Sequence, residues 1–152
     1  MPKRSAGLLM YRFRGADLEV LLVHPGGPFW AKKDLGAWSI PKGEYSADED
    51  PLQAAQREFH EETGLTTAGR FQELTEIRQK GGKYVKAWAV EGDCDPASIR
   101  SNTFALEWPP RSGKQREFPE IDRAAWFGRG EARKKILQSQ LPLLDELEKL
   151  LA

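Results

Sequence analysis

One cysteine and two histidines in 152 residues leave little thiol or imidazole chemistry to work with. Cys94 cannot form an internal disulfide, and so few soft ligands exclude a structural zinc site of the usual four-ligand kind. A reducing, cytoplasmic setting is therefore expected. Charge of one sign is also missing, since 23 basic residues balance 23 acidic ones and the sequence pI is about 6.8. That balance gives no strong signal for nucleic acid and none for an anionic membrane. The longest apolar runs, Gly7–Tyr11 and Leu18–Val23, are far too short to span a bilayer, and no signal-peptide hydrophobic region opens the chain. The expectation is one soluble domain over residues 1–152, able to bury about two thirds of its unfolded surface.

What the chain has is acid in a particular register. Residues 43–65 read GEYSADEDPLQAAQREFHEETGL. Asp50 is a suitable N-cap with Pro51 at the first helical position, and Gly64 can supply the left-handed turn that ends a helix, so the spacing predicts a helix over 51–63. Leu52, Ala55 and Phe59 form its apolar stripe. Glu58, Glu61 and Glu62 share an arc about 100° wide, where an ordinary surface helix would interleave lysines. Like charges at such spacings each cost a few tenths of a kcal/mol. Arg57 reads as lying beside the three rather than among them. Oxygen-only ligands suit a hard divalent cation, Mg²⁺ or Mn²⁺, shared with substrate phosphates.

Gly43, Glu49, Arg57, Glu58, Phe59, Glu61, Glu62, Gly64 and Leu65 fill all nine constrained positions of a pattern that resembles the Nudix box, Gly-x5-Glu-x7-Arg-Glu-U-x-Glu-Glu-x-Gly-U with U apolar. Average residue frequencies put a chance match on the order of 10⁻⁷. The resemblance implies an α/β/α sandwich with a mixed β-sheet between helices, and a metal-dependent pyrophosphohydrolase. It makes Glu58 and Glu62 the first metal ligands and Glu61 an additional one, joined by the Gly43 carbonyl. Glu49 and Arg57 enter the catalytic set as a salt bridge that fixes the helix against the preceding loop. The general base comes either from the helix, through Glu58 or Glu61, or from a later loop. There Glu120 stands six residues before Trp126, an offset found in several MutT-like and diadenosine polyphosphate hydrolase-like members, and is both a catalytic and a metal-binding candidate. Glu117 and Glu107 compete with it.

Around the motif, Ala6–Phe13 and Leu18–Val23 read as a hairpin and Trp38–Ile40 as a short strand. Phe71–Arg78 and Tyr84–Val90 read as a second hairpin. Thr103–Trp108 and Ala124–Phe127 are further strands, PPRSGKQREFPEID is loop, and helical patterns cover Arg129–Gln138 and Pro142–Leu151. Lys42, Lys83, Arg111, Lys114 and Arg116 are candidates for binding distal phosphates. Tyr84 could stack on a base, whereas Trp88 on the same strand face reads as core. The strings WSIPKGE and KYVKAWAVE are most similar to the diadenosine polyphosphate hydrolase branch. The expected substrate is a small phosphoanhydride, a dinucleoside polyphosphate ahead of a simple NTP. Diphosphoinositol polyphosphates, RNA 5′ ends, oxidised nucleotides, a nucleotide-sensing module and an acidic interaction helix are the alternatives.

Overall fold

A computed structural model describes residues 3–152. The chain runs β1 (Arg4–Arg14), β2 (Asp17–Pro25), β3 (Lys42–Glu44), α1 (Pro51–Thr63), β4 (Phe71–Glu73), β5 (Ile77–Arg78), β6 (Tyr84–Glu91), β7 (Thr103–Glu107), β8 (Gln115–Pro119), β9 (Ile121–Gly128), α2 (Arg129–Lys135) and α3 (Leu141–Leu151). The main sheet has the order β4-β6-β1-β2-β9, with β3 added to β1 and β5 to β6. β1 and β6 pair in parallel while the other pairs are antiparallel, so the sheet is mixed as expected.

Alternation along the strands divides the core between two faces. Ala6, Leu8 and Met10 of β1 pack with Ala54, Ala55 and Phe59 of α1 and with Trp88 and Val90 of β6. On the other face, Leu9 and Tyr11 join Val85, Ala87 and Ala89 of β6 against Ala132 of α2 and Leu143, Leu144 and Leu147 of α3. Helices thus cover both sides, and Trp88 is core. Among the described residues no helix is long and apolar enough to cross a membrane.

Four local expectations need correcting. Trp38–Ile40 forms isolated bridges, Ser39 to Val23 and Trp38 to Ile136, and the strand begins instead at Lys42, after Pro41, which has no N–H to give a ladder. Phe71–Arg78 is broken into β4 and β5; the register on β6 slips by one residue between the pairs Glu73–Trp88 and Ile77–Val85. Thr75 there turns to the Glu146 carboxylate, its N–H donating over 2.7 Å. The helix from Arg129 stops at Lys135, because Ile136 turns extended to bridge Trp38. The supposed loop after Trp108 is the tip and return strand of a hairpin: β8 pairs with β7 from Thr103–Pro119 to Glu107–Gln115.

Candidate active site

The box helix is positioned from both ends by its own sequence. Asp50 accepts from the Gln53 N–H at 3.0 Å, and Gly64, at φ 76°, returns its N–H to the His60 carbonyl. Phe59 is fully buried beneath the sheet, and burying such a side chain is worth ~2–3 kcal/mol. Once it is seated, the acidic arc must face β3 and the loops beyond.

Gly43 sits opposite Ala6 on β3, and the Glu58 carboxylate lies against its α-carbon, where any β-carbon would collide. Glu58 is only 12% exposed. Burial is the main reason that its carboxyl is raised above the ordinary value; Arg57 opposes the shift, while Glu61 and Glu120 add to it. Glu62 points inward and accepts from the Lys42 backbone N–H at 3.1 Å. Desolvation, assisted by Glu58 and Glu120, pushes its carboxyl up to about 8. Burial in turn lowers the Lys42 ammonium from its usual range, with Lys83 adding to the effect.

Arg57 lies among the glutamates, not beside them. Its Nε and Nη2 fork onto Glu49 at 2.8 and 3.0 Å, while Nη1 donates to Glu58 at 2.8 Å and to both Glu61 oxygens at 3.3 Å. The helical spacing could not reveal this, because a guanidinium reaches across a turn that its α-carbon does not face. The fork holds Glu49 below its ordinary carboxyl value and raises Arg57. Among the described residues, no three acidic, histidine or cysteine side chains are drawn into a ready metal cluster. Arg57 and the Lys42 amide occupy these oxygens instead.

Glu120 occupies the short link between β8 and β9. Its N–H donates to Asn102 and its carbonyl accepts from Gly26, both at 2.8 Å, and Asn102 donates to the Glu61 carbonyl at 2.9 Å. Glu120 and Glu62 line one cleft of about 230 Å³ with Lys42, Trp30, Ser39, Ile40, Ile121 and Leu137. The rival carboxylates lie elsewhere: Glu117 is exposed on β8, and Glu107 accepts from the Arg111 N–H at the hairpin tip. Glu58 adds to the elevation of Glu62, and Glu120 adds to the elevation of both, so these carboxylates from the helix and the β8–β9 link lie near one another. An all-oxygen set of this kind fits a hard divalent cation.

The other candidates divide. Lys42 lines the cleft and Lys83 lies close enough to affect it. Tyr84 is not at the cleft; its ring faces the guanidinium carbons of Arg4 at 4.9 Å and Arg78 at 5.8 Å. Arg111, Lys114 and Arg116 belong to the β7–β8 hairpin and do not line the cleft. The sequence reading missed Trp30, although an aromatic pair in a Gly- and Pro-rich loop was a visible signal. It also missed two buried polar braces. His24 is engaged through Nδ1 with Asp122 at 2.7 Å and through Nε2 with the Lys33 carbonyl at 2.6 Å, tying the Trp30 loop to β9. Gln140 accepts from the Ile40 N–H at 3.1 Å and donates to Ser39 Oγ at 3.0 Å, fixing the cleft wall.

Comparison with known proteins agrees with this architecture. An octanoyltransferase from Myxococcus xanthus is 31% identical over 109 residues, covering 72% of this chain and 26% of that protein. An RNA pyrophosphohydrolase from Brucella ovis is 44% identical over 112 residues, covering 64% of this chain and 58% of that protein. The chain therefore spans less than two thirds of the length of these curated relatives. An Ap4A hydrolase binary complex from C. elegans superposes with a TM-score of 0.66 at 23% identity, covering 97% of both chains. The NUDIX domain of Shewanella oneidensis NrtR, complexed with ADP ribose, gives 0.69 at 15% identity over 100% of this chain and 90% of that one. These two likenesses concern the fold. Residues 1–147 match the NUDIX domain, and the chain belongs to the Nudix hydrolase family.

Proposed function

We propose that this protein hydrolyses a phosphoanhydride bond of a nucleoside polyphosphate, dinucleoside polyphosphates ahead of simple NTPs, by water attack on phosphorus with Mg²⁺ or Mn²⁺. The observation that carries the reading is geometric: Glu62 of the box helix and Glu120 of the β8–β9 link line one cleft, with Glu58 one helical turn from Glu62, so acid from two elements makes one field there. Left alone, that field repels a polyphosphate. A divalent ion held by these residues would reverse it, and the chemistry it would supply is neutralisation of phosphate oxygens and a lowered pKa of the attacking water.

Glu58, Glu62 and Glu120 are the residues that would hold the ion, with the Gly43 carbonyl and Glu61 at its margin. Arg57, forked onto Glu49, holds Glu58 and Glu61 in place while they are charged, as supporting hydrogen bonds orient ligands elsewhere. Glu120 receives the proton of the attacking water, and the ordered backbone on both sides of it keeps that carboxylate over the cleft. Lys42 lines the cleft and would meet the phosphates there, their charge adding to that of Glu62 in favouring the cationic form that burial disfavours.

A second reading, removal of pyrophosphate from RNA 5′ ends, is favoured by the likeness to the Brucella ovis RNA pyrophosphohydrolase. One screen tests both. Dinucleoside polyphosphates, NTPs, 5′-triphosphorylated RNA and diphosphoinositol polyphosphates are incubated with each metal in ¹⁸O water, and products are identified by mass spectrometry. Turnover of a nucleotide compound with ¹⁸O in one phosphate product is the expected result. Tight nucleotide binding without turnover would make the protein a sensor, and metal-independent inertness toward the whole panel would end the hydrolase reading.

A further inference from the structure

Trp30 lines the cleft, but the residues that follow it line a second concavity. Lys32, Lys33 and Asp34 join Arg123 and Phe127 of β9 and Lys135 of α2 around a space of about 520 Å³, to which no glutamate of the box helix contributes. Four cations there, Lys32, Lys33, Arg123 and Lys135, meet one carboxylate, Asp34. That is a local excess of positive charge in a chain whose charges balance.

The one acid is already engaged. Asp34 pairs with Lys135 and accepts from Trp38 Nε1 at 2.9 Å, and these bonds, that to Lys135 first, hold its carboxyl below the ordinary value. Lys33 is set instead over the Trp30 ring, its Nζ 5.0 Å from the centroid, and the Arg123 guanidinium over Trp38 at 5.2 Å. Arg123 keeps a long contact with Asp122, 3.7 Å from Nε, and that carboxylate is also bound by His24. Among the described residues Lys32 and Lys33 take part in no ion pair.

The backbone that carries these charges is fixed. Lys33 donates its N–H to the Trp30 carbonyl at 2.9 Å, and its own carbonyl is engaged by the buried His24 Nε2 at 2.6 Å. Gly36 donates to the Lys134 carbonyl at 3.0 Å, which ties the same loop to α2. Like charges gathered on a fixed wall repel one another, and an anion relieves that repulsion. A guanidinium fork beside ammonium point charges matches the several oxygens of a phosphate, whereas a lone carboxylate would leave most of the charge uncompensated.

We infer that this pocket is a second anion site, outside the cleft, for a phosphate-bearing group of two or more negative charges. It needs no divalent ion, because its own charge is positive, and so it stands or falls independently of the hydrolase reading. A bare inorganic anion and a phosphate ester share the required chemistry.

The test titrates inorganic pyrophosphate or AMP into ¹⁵N-labelled protein in EDTA, with amide shifts and calorimetry as readouts. Saturable binding of a single equivalent is expected, with the largest shifts at Lys32, Lys33, Asp34, Arg123 and Lys135. Combining Lys32→Gln with Arg123→Gln should weaken it at least about 10-fold, the loss of one charge-assisted hydrogen bond. Tighter binding of pyrophosphate assigns the site to a bare anion, and tighter binding of AMP to an ester. Lys32→Gln alone, at an exposed side chain, repeats the comparison should the double variant fail to fold. Absent binding would overturn the inference, as would shifts confined to Lys42, Lys83 and the cleft, wild-type affinity in the variants, or equal competition by chloride.

Discussion

The carboxylate of Glu58 rests on the bare α-carbon of Gly43, in the space that any other residue would fill with a β-carbon. The backbone at Gly43 is not left-handed, so alanine meets only a steric objection there. Gly43→Ala is expected to displace Glu58 and lower kcat by about 10²-fold, the cost of a misplacement near 1 Å, while Tm changes little. Normal kinetics in a folded Gly43→Ala protein would show that the close approach has no part in turnover.

Loss of a carboxylate itself is a larger change. Glu58→Gln or Glu62→Gln should lower turnover about 10²–10⁴-fold with the fold retained. In the metal-free protein either substitution removes a member of a mutually repelling set. Steady-state rates at saturating metal together with circular dichroism provide the check. Near-wild-type rates in both variants would exclude these residues from the mechanism.

Much of this site was legible because it is local. Asp50, Pro51 and Gly64 fix the helix within a single stretch of chain, and the register of Glu58 and Glu62 follows from the helical period. The place of Arg57 was not legible, since its side chain crosses the helix face to bond Glu58 and Glu61. The β7–β8 hairpin was hidden for a different reason: Pro109, Pro110 and Gly113 read as loop, yet they make its tip, while the pairing of Phe104 with Phe118 lies in the strands on either side. Trp30 and Glu120 meet at one cleft only through tertiary packing, which no periodicity records.

Arg57 separates support from stability. It is 39% exposed, so its ion pairs should contribute under about 1 kcal/mol to folding. Arg57→Lys keeps the charge but loses the fork onto Glu49 and the simultaneous reach to Glu58 and Glu61. Activity or metal affinity should fall about 10–100-fold, with only a small change in Tm. A loss of activity that merely tracked unfolding would assign Arg57 to the scaffold.

The raised carboxyl of Glu62 makes metal-free stability depend on pH. In the unfolded chain it ionises near the ordinary 4.5, whereas in the fold burial holds its proton up to about 8. Between those values the unfolded state has released a proton that the folded state keeps, so stability falls as pH rises through this window. In EDTA, Tm should therefore decline from pH 5 to pH 8, and Glu62→Gln should flatten the decline. Mg²⁺ added at pH 8 should restore Tm by favouring the carboxylate. A flat profile in the metal-free wild type would mean that Glu62 is solvated.

Glu120 carries the most discriminating prediction, because three carboxylates of one region compete for one role. Glu117 is exposed on β8 and Glu107 is engaged at the hairpin tip, whereas Glu120 lines the cleft with Glu62 and raises both Glu58 and Glu62. Its backbone is tied to Gly26 on one side and Asn102 on the other, and Asn102 is tied to Glu61. The backbone at Glu120 is thereby referenced to the box helix. Glu120→Gln should lower kcat by about 10²–10⁴-fold, as expected on losing a general base, with KM changed far less. Glu117→Gln and Glu107→Gln should stay within a few fold of wild type. The pH–rate profile adds a test that mere structural damage would not mimic, since loss of the base should abolish the acidic limb while leaving the basic limb in place. Full activity in Glu120→Gln would move the proton acceptor into the helix, to Glu58 or Glu61, and a dead Glu117→Gln beside it would mean that the hairpin repositions itself over substrate.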